Sequence, residues 1–136
     1  YFRPEGQQFI CGLSPDEADE PQDLSWDVDY SWFEEHIWER LAGRVPAFEA
    51  IKVVNAWVGH YDYNALDQNA VIGPHPELAN FLFANGFSGH GLQQGPGAGN
   101  AVAELVIHGG YRSIDLARFG FARIAEKTPL FERNVI

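Results

Sequence analysis

Methionine is absent from the 136-residue chain, and cysteine occurs once, at Cys11. A single cysteine cannot form an internal disulfide, which favours a reducing, intracellular compartment. No apolar run approaches the roughly 20 residues that a membrane-spanning helix needs. Because residue 1 is Tyr and not Met, we expect sequence upstream of it, so the lack of a signal peptide excludes nothing.

Basic residues are also few: 9 Lys and Arg stand against 19 Asp and Glu, for a net charge of −10. Eleven of the acidic residues lie within residues 5–39, where no Lys or Arg occurs. This charge disfavours nucleic acids and anionic membranes as partners, because both carry negative phosphates. The acidic stretch itself is interpreted either as a solvated face with a surface loop or as an acidic docking face.

Apolar side chains are plentiful, since 46% of the residues are hydrophobic and 14% are aromatic. A disordered chain lacks the apolar surface that offsets the entropy of ordering, so this composition predicts a folded core. The length allows one domain or a part of a larger one.

Local patterns predict an α+β fold. Gly6 favours a tight turn between two short strands, and apolar residues four apart predict a helix that begins near Asp29. The predicted elements are strands 1–4, 7–11, 70–73 and 80–84, one long strand or two short ones over 51–63, helices over about 29–42 and 92–108, and a helical turn near 116–121 in a C-terminal tail. Strand 80–84 is apolar throughout, which predicts burial on both faces.

A dense glycine segment, residues 85–91, lies between the last strand and the second long helix. The first amides of a helix have no partner within it, and its dipole adds roughly half a positive charge there. Either an anion or the electron-rich carbonyl edge of a ligand can bind at such an end, or the glycines only allow a tight turn and close packing. The spacing fits neither G-x-G-x-x-G nor the Walker pattern. The five histidines show no metal-ligand spacing, so no metal site is predicted.

The G-F-S-G-H-G run at residues 86–91 resembles a signature of the D-amino-acid oxidase-like family of FAD-dependent oxidoreductases. Residues 72–76 resemble the family segment before the last strand of its FAD domain, and Asp115, Phe119 and Arg123 resemble its C-terminal pattern. The resemblance covers nearly the whole chain. It is closest to a branch of FAD-dependent oxidoreductase domain-containing proteins.

The resemblance implies that this chain is the C-terminal portion of a longer protein. Residues 1–69 would end a substrate domain built on an antiparallel or mixed sheet. Residues 70–136 would supply the closing strand and helix of a βαβ FAD-binding domain, followed by a tail. The missing N-terminal FAD-binding part of the same chain would be its first partner, and a homodimer stays open. The isolated chain is expected to bind FAD weakly or not at all and to be inactive.

The family chemistry implies hydride transfer to flavin from an amine or amino acid, a small-molecule substrate. By resemblance, the flavin ring would be lined by Gly89, His90, Gly91, Leu92 and Gln93. Gln93 stands where sarcosine oxidases carry a Lys that helps to bind the substrate carboxylate, and His60 replaces their flavin-linking Cys, which excludes a thioether link there. His60 and Gln93 are therefore the catalytic candidates, and His60 is equally well explained as a structural strand residue.

An alternative function belongs to another class. The branch would then be a non-catalytic, flavoprotein-like assembly or scaffold factor for a respiratory complex, with the acidic stretch as its docking face. The loss of the Lys at Gln93 favours this alternative. Either function predicts bacterial cytoplasm or mitochondrial matrix as the location.

Overall fold

The computed structural model describes residues 1–16, 18–20 and 23–133. These residues form two compact units, of which the first covers residues 1–60 and the second begins at Tyr61. Each unit contains one two-stranded antiparallel sheet together with helices. The predicted α+β class is confirmed at this level. The division into a substrate domain, 1–69, and an FAD-domain segment, 70–136, remains a prediction.

The first unit begins with the predicted hairpin. Strand β1, Phe2–Glu5, pairs antiparallel with β2, Gln8–Cys11. Gly6 lies in the turn with a φ of 59°, a left-handed backbone that glycine adopts without a steric cost.

The predicted first helix is also confirmed, and it runs in three segments: α1, Tyr30–Trp32, a π-helical turn, Phe33–Ile37, and α2, Trp38–Arg44. The Asp29 carboxylate caps its start by accepting from the Ser31 backbone N–H at 2.9 Å and the Ser31 hydroxyl at 2.6 Å. Pro46 then begins a 3-10 turn, Pro46–Ala50.

Phe48 on this turn is the centre of the first unit's packing. It is buried, and the rings of Phe2 and Phe9 meet its ring edge-on at centroid distances of 5.4 and 4.7 Å. The hairpin is thereby held to the helical segment by aromatic contacts.

The predicted strand over 51–63 is wrong for this structure, because these residues have no regular secondary structure. A strand exists through hydrogen bonds to a neighbour, and no strand in the described ranges pairs with this segment. Its apolar side chains are correspondingly exposed, Val54 by 74% and Trp57 by 66%.

The second unit contains β3, Val71–Pro74, paired antiparallel with β4, Leu82–Asn85, and the long helix α3, Gly91–His108. Ala70, Ile72 and Ala98 form its buried core, so β3 packs on α3. The predicted second helix and both strands are thus confirmed. The tail holds a 3-10 turn, Ala117–Phe119, and a short helix α4, Ala122–Ala125.

Burial of the last strand on both faces was predicted and is not observed. Leu82 and Phe83 are half-buried, and Ala84 and Asn85 are exposed. The reason is that β4 has β3 as its neighbour in the two-stranded sheet and no second strand beside it among the described residues. Across the described ranges, no helix combines the length and apolar character that a membrane crossing requires.

Candidate functional site

The glycine loop, residues 85–90, joins β4 to α3 through an unusual backbone. Gly86, Ser88 and Gly89 have φ values of 75°, 49° and 94°, all in the left-handed region. Glycine adopts such angles freely, whereas for Ser the conformation costs about 1–2 kcal/mol. The loop therefore needs neighbours that hold Ser88 in place, and this side chain is buried, with 1% exposed.

Residues 62–64 supply those neighbours. One carboxylate oxygen of Asp62 accepts from the backbone amides of Gly86 and Phe87, at 2.7 and 3.1 Å. The Ser88 amide donates to the Asp62 carbonyl at 3.4 Å, and the Ser88 hydroxyl accepts from the Asn64 amide at 2.9 Å. The path of the glycine loop is consequently set by contacts within the second unit.

Gly89 cannot be replaced without movement, because a Cβ at this position would lie 2.9 Å from the nearest ring carbon of Tyr61. That distance is shorter than any ordinary contact between carbon atoms. The aromatic ring of Tyr61 thus closes one side of the loop directly before α3 begins.

The start of α3 is open by comparison. His90 is the N-cap residue and makes no capping hydrogen bond with its side chain, and the first turn closes when the Gln94 amide donates to the His90 carbonyl at 3.0 Å. Leu92 is 91% exposed, and Gln93 is exposed as well. The helix end offers neutral backbone donors and a partial positive charge, which suit an electron-rich carbonyl edge such as that of a flavin.

The structure therefore brings five of the predicted site residues, Gly89 to Gln93, together at one helix end. His60, the remaining candidate, belongs to the first unit. Its Nε2 lies 3.0 Å from the Ser25 carbonyl oxygen, and its ring lies 4.3 Å from that of Trp26. A carbonyl only accepts, so Nε2 carries a proton and Nδ1 is the nitrogen with the lone pair in neutral His60.

A buried ion pair lies at the centre of the second unit. Arg123, with 6% of its surface exposed, donates from Nε and Nη2 to the two carboxylate oxygens of Asp67, which is fully buried, at 2.7 and 3.2 Å. Arg123 also donates to the carbonyls of Phe119, Asn69 and Ala70. Asn64 Nδ2 donates to Asp67 as well, at 3.0 Å.

Sequence reasoning noted Arg123, by resemblance to a family pattern, and missed that it pairs with Asp67. Burial by itself raises the pKa of Asp67, but the hydrogen bond from Arg123 and those from the Leu130 and Asn69 amides outweigh it and leave the pKa lowered. Because Leu130 also donates to this carboxylate, at 2.9 Å, the pair ties the tail to the turn before β3.

Comparison with known proteins identifies the family of the chain. The model of the DAO family, FAD dependent oxidoreductase, matches residues 1–105. The chain is 50% identical over its whole length to FAD-dependent oxidoreductase domain-containing protein 1 of Xenopus laevis, and 54% identical over 90% of its length to that of Bos taurus. Mitochondrial sarcosine dehydrogenase of Mus musculus is 33% identical over 71% of the chain.

The chain spans 28%, 26% and 10% of the lengths of these three relatives. No solved structure matches it. The family model nevertheless covers well over half of the residues and includes the whole glycine loop and the start of α3. The chain therefore belongs to the DAO family of FAD dependent oxidoreductases.

Proposed function

We propose that this chain contributes part of the flavin site of an FAD-dependent oxidoreductase that oxidises an amine or amino acid. The observation that carries the proposal is the start of α3. It has no side-chain cap, and it lies directly after the glycine loop, which Asp62 holds by hydrogen bonds. FAD, when bound, would accept the hydride removed from a carbon next to an amine.

The residues of the chain would serve this chemistry by position and charge. The amides of Gly91, Leu92 and Gln93 lie in the first turn of α3, where they lack acceptors within the helix. They would hold a flavin carbonyl edge and stabilise negative charge that builds up there. Gly89 and His90 would bring the backbone close to the ring, since neither places a capping side chain in front of the helix.

Gln93 and His60 are proposed to meet the substrate. The exposed side-chain amide of Gln93 would donate a hydrogen bond to a substrate carboxylate, and this bond is weaker than one from a Lys because the donor carries no charge. His60 would accept a proton at Nδ1, because its Nε2–H donates to the Ser25 carbonyl.

The rest of the flavin site is proposed to come from the remaining polypeptide, because the chain spans little more than a quarter of the FAD-dependent oxidoreductase domain-containing relatives. Residues 51–60, mostly exposed and without a strand partner in the described chain, would join the sheet of that part. The relative named mitochondrial sarcosine dehydrogenase supports a mitochondrial location.

The test is anaerobic flavin reduction in the complete protein, purified with FAD and mixed with N-methyl amino acids and with D- and L-amino acids. Bleaching of the flavin absorbance by one class, slowed in Gln93→Ala and His60→Ala variants, is the expected result. A complete protein that purifies without flavin and does not bind added FAD overturns the proposal.

A second candidate is a scaffold role in the assembly of a respiratory complex. The exposed apolar side chains of the first unit favour it, including Leu24 at 79% and Trp26 at 69%, both within the acidic stretch. This role predicts that FAD binds but that no amine or amino acid in the panel reduces it. Reduction at rates useful for turnover contradicts the scaffold role.

A further inference from the structure

The geometry points to Asp62 as a positioning residue: its carboxylate holds the glycine loop in the shape that presents the first amides of α3 to the flavin. The inference rests on the proposed function for what the loop binds. It concerns a residue outside the five that line the helix end, on the segment that precedes the buried Asp67.

The first step is the number and kind of bonds. One Asp62 oxygen accepts from two consecutive amides, Gly86 at 2.7 Å and Phe87 at 3.1 Å. A carboxylate acceptor makes these bonds charge-assisted and about twice as strong as neutral ones. Glycine has the largest backbone freedom of any residue type. The conformation of Gly86 therefore depends on contacts such as these hydrogen bonds to Asp62.

The second step is transmission to the helix. Phe87 packs against the core that β3 shares with α3, and its carbonyl accepts from the His90 amide at 2.9 Å. His90 is the residue on which α3 begins. A shift of Phe87 would therefore change the direction in which the first helical amides point.

The third step is the rigidity of the chain segment that carries Asp62. Asn64, two residues after Asp62, donates from Nδ2 to Asp67 at 3.0 Å and to the Asn69 carbonyl at 2.6 Å. These acceptors belong to the buried ion pair and its neighbours. Asp62 is thus part of a segment that is anchored, through Asn64, on the buried ion pair of Asp67 and Arg123.

The experiment compares Asp62→Ala and Asp62→Asn with Asp115→Ala in the complete protein. Asp115 is the matched control, because its exposed carboxylate also accepts a backbone amide, that of Ala117 at 2.9 Å. Hydrogen exchange of peptides that cover residues 84–91 is measured without FAD, and the dissociation constant and absorption spectrum of FAD are measured by titration.

Removing the carboxylate should accelerate exchange of this peptide about ten-fold or more and weaken FAD binding by a similar factor, as expected for lost bonds to a charged group. Asp62→Asn keeps an acceptor oxygen and should restore part of both values, while Asp115→Ala should change neither. Unchanged exchange and FAD affinity in Asp62→Ala would overturn the inference.

If Asp62→Ala does not fold, the comparison of Asp62→Asn with the unsubstituted protein decides, since values equal to the latter also overturn the inference. A protein that never binds FAD refutes the proposed function alone. The exchange measurement still decides whether Asp62 holds the loop.

Discussion

The two units of the chain differ in what their buried interiors contain. Among the described residues, the buried side chains of the first unit are two apolar ones, Leu41 and Phe48. The second unit buries an apolar core together with four polar or charged side chains: Asp67, Asn69, Ser88 and Arg123. Each of the four makes hydrogen bonds within its own unit.

This difference separates the residues that the chain positions by itself from those that it does not. The glycine loop is held by hydrogen bonds from its amides to Asp62 and by the buried Ser88, so its shape is defined by the second unit. The exposed side chains of the first unit, such as Trp57, have apolar surface that further contacts would bury. The predictions below test this contrast.

The largest expected effect comes from removing the cation of the buried pair. Arg123→Met leaves the Asp67 carboxylate buried without its counter-charge, and breaking such a pair costs about 3–5 kcal/mol. Native-state hydrogen exchange of peptides over residues 64–72 in the complete protein measures the loss. Arg118→Met, the same change at an exposed position, should stay within about 0.5 kcal/mol of the unsubstituted protein. Equal effects of the two substitutions would show that the second unit does not depend on the pair.

Lowering the pH should weaken the same buried ion pair, because it protonates Asp67. The pKa of Asp67 lies below its ordinary value of 3.8 in the folded chain, so the stabilisation it provides is present above that value and is lost as the pH falls further. Arg123→Met should remove most of this pH dependence, and its persistence in the variant would assign it to another carboxyl group.

The next effect concerns the glycine loop. Gly89→Ala adds a Cβ 2.9 Å from the Tyr61 ring and forces a left-handed φ of 94° on a residue that rarely adopts it. We expect a loss of about 1–3 kcal/mol together with weaker FAD binding. Thermal unfolding and FAD titration are the measurements.

Gly43→Ala is the matched control, because this helical glycine has nothing within 4 Å of its Cβ position and no positive φ. It should stabilise the protein by about 0.5–1 kcal/mol. If Gly89→Ala were as harmless as Gly43→Ala, the close approach of Tyr61 would not constrain the loop.

A smaller effect is expected at the open helix end. Gln93→Lys replaces a neutral donor with a charged one, and the difference between the two kinds of hydrogen bond predicts a KM about five- to ten-fold lower for substrates with a carboxylate. Gln93→Met, similar in length but without a donor, should raise the KM. If neither substitution changed the KM, Gln93 would not belong to the substrate site.

The sequence predicted the elements whose signals are local. The β1–β2 hairpin follows from Gly6 and its flanking strands, and the start of the first helix follows from Asp29, which caps it. The glycine loop was found because six adjacent residues carry its signature. In each case the interacting residues are close in sequence, so the pattern contains both partners.

The remaining features depend on partners far apart in the chain. Asp67 and Arg123 are 56 residues apart, and neither residue alone indicates that its charge is buried. Residues 51–63 have the composition of a strand, but a strand forms only where a neighbour supplies hydrogen bonds. The same limit applies to Asp62, because nothing in the sequence indicates that this exposed side chain binds the amides of Gly86 and Phe87.

The smallest effect is expected at a half-buried residue of the second unit, Glu104 on α3. It accepts from the Ser113 hydroxyl at 2.6 Å and from the Arg112 amide at 2.7 Å, so it holds the segment after the helix. These bonds, with that of Ser113 first, lower the pKa of Glu104 from 4.5 to about 2.

Because the folded pKa is depressed, the stabilisation from Glu104 is complete above pH 4.5 and is lost as the pH falls toward about 2. Exchange protection of a peptide over residues 109–114, corrected for the intrinsic rate, should fall across this range. In Glu104→Gln the protection should already be low and should not change with pH. Glu126→Gln is the control at an exposed position of the same unit, and it should behave like the unsubstituted protein. The same pH dependence with and without the Glu104 carboxylate would mean that the segment is held by other contacts, and the polar anchoring of the second unit would then be confined to its buried side chains.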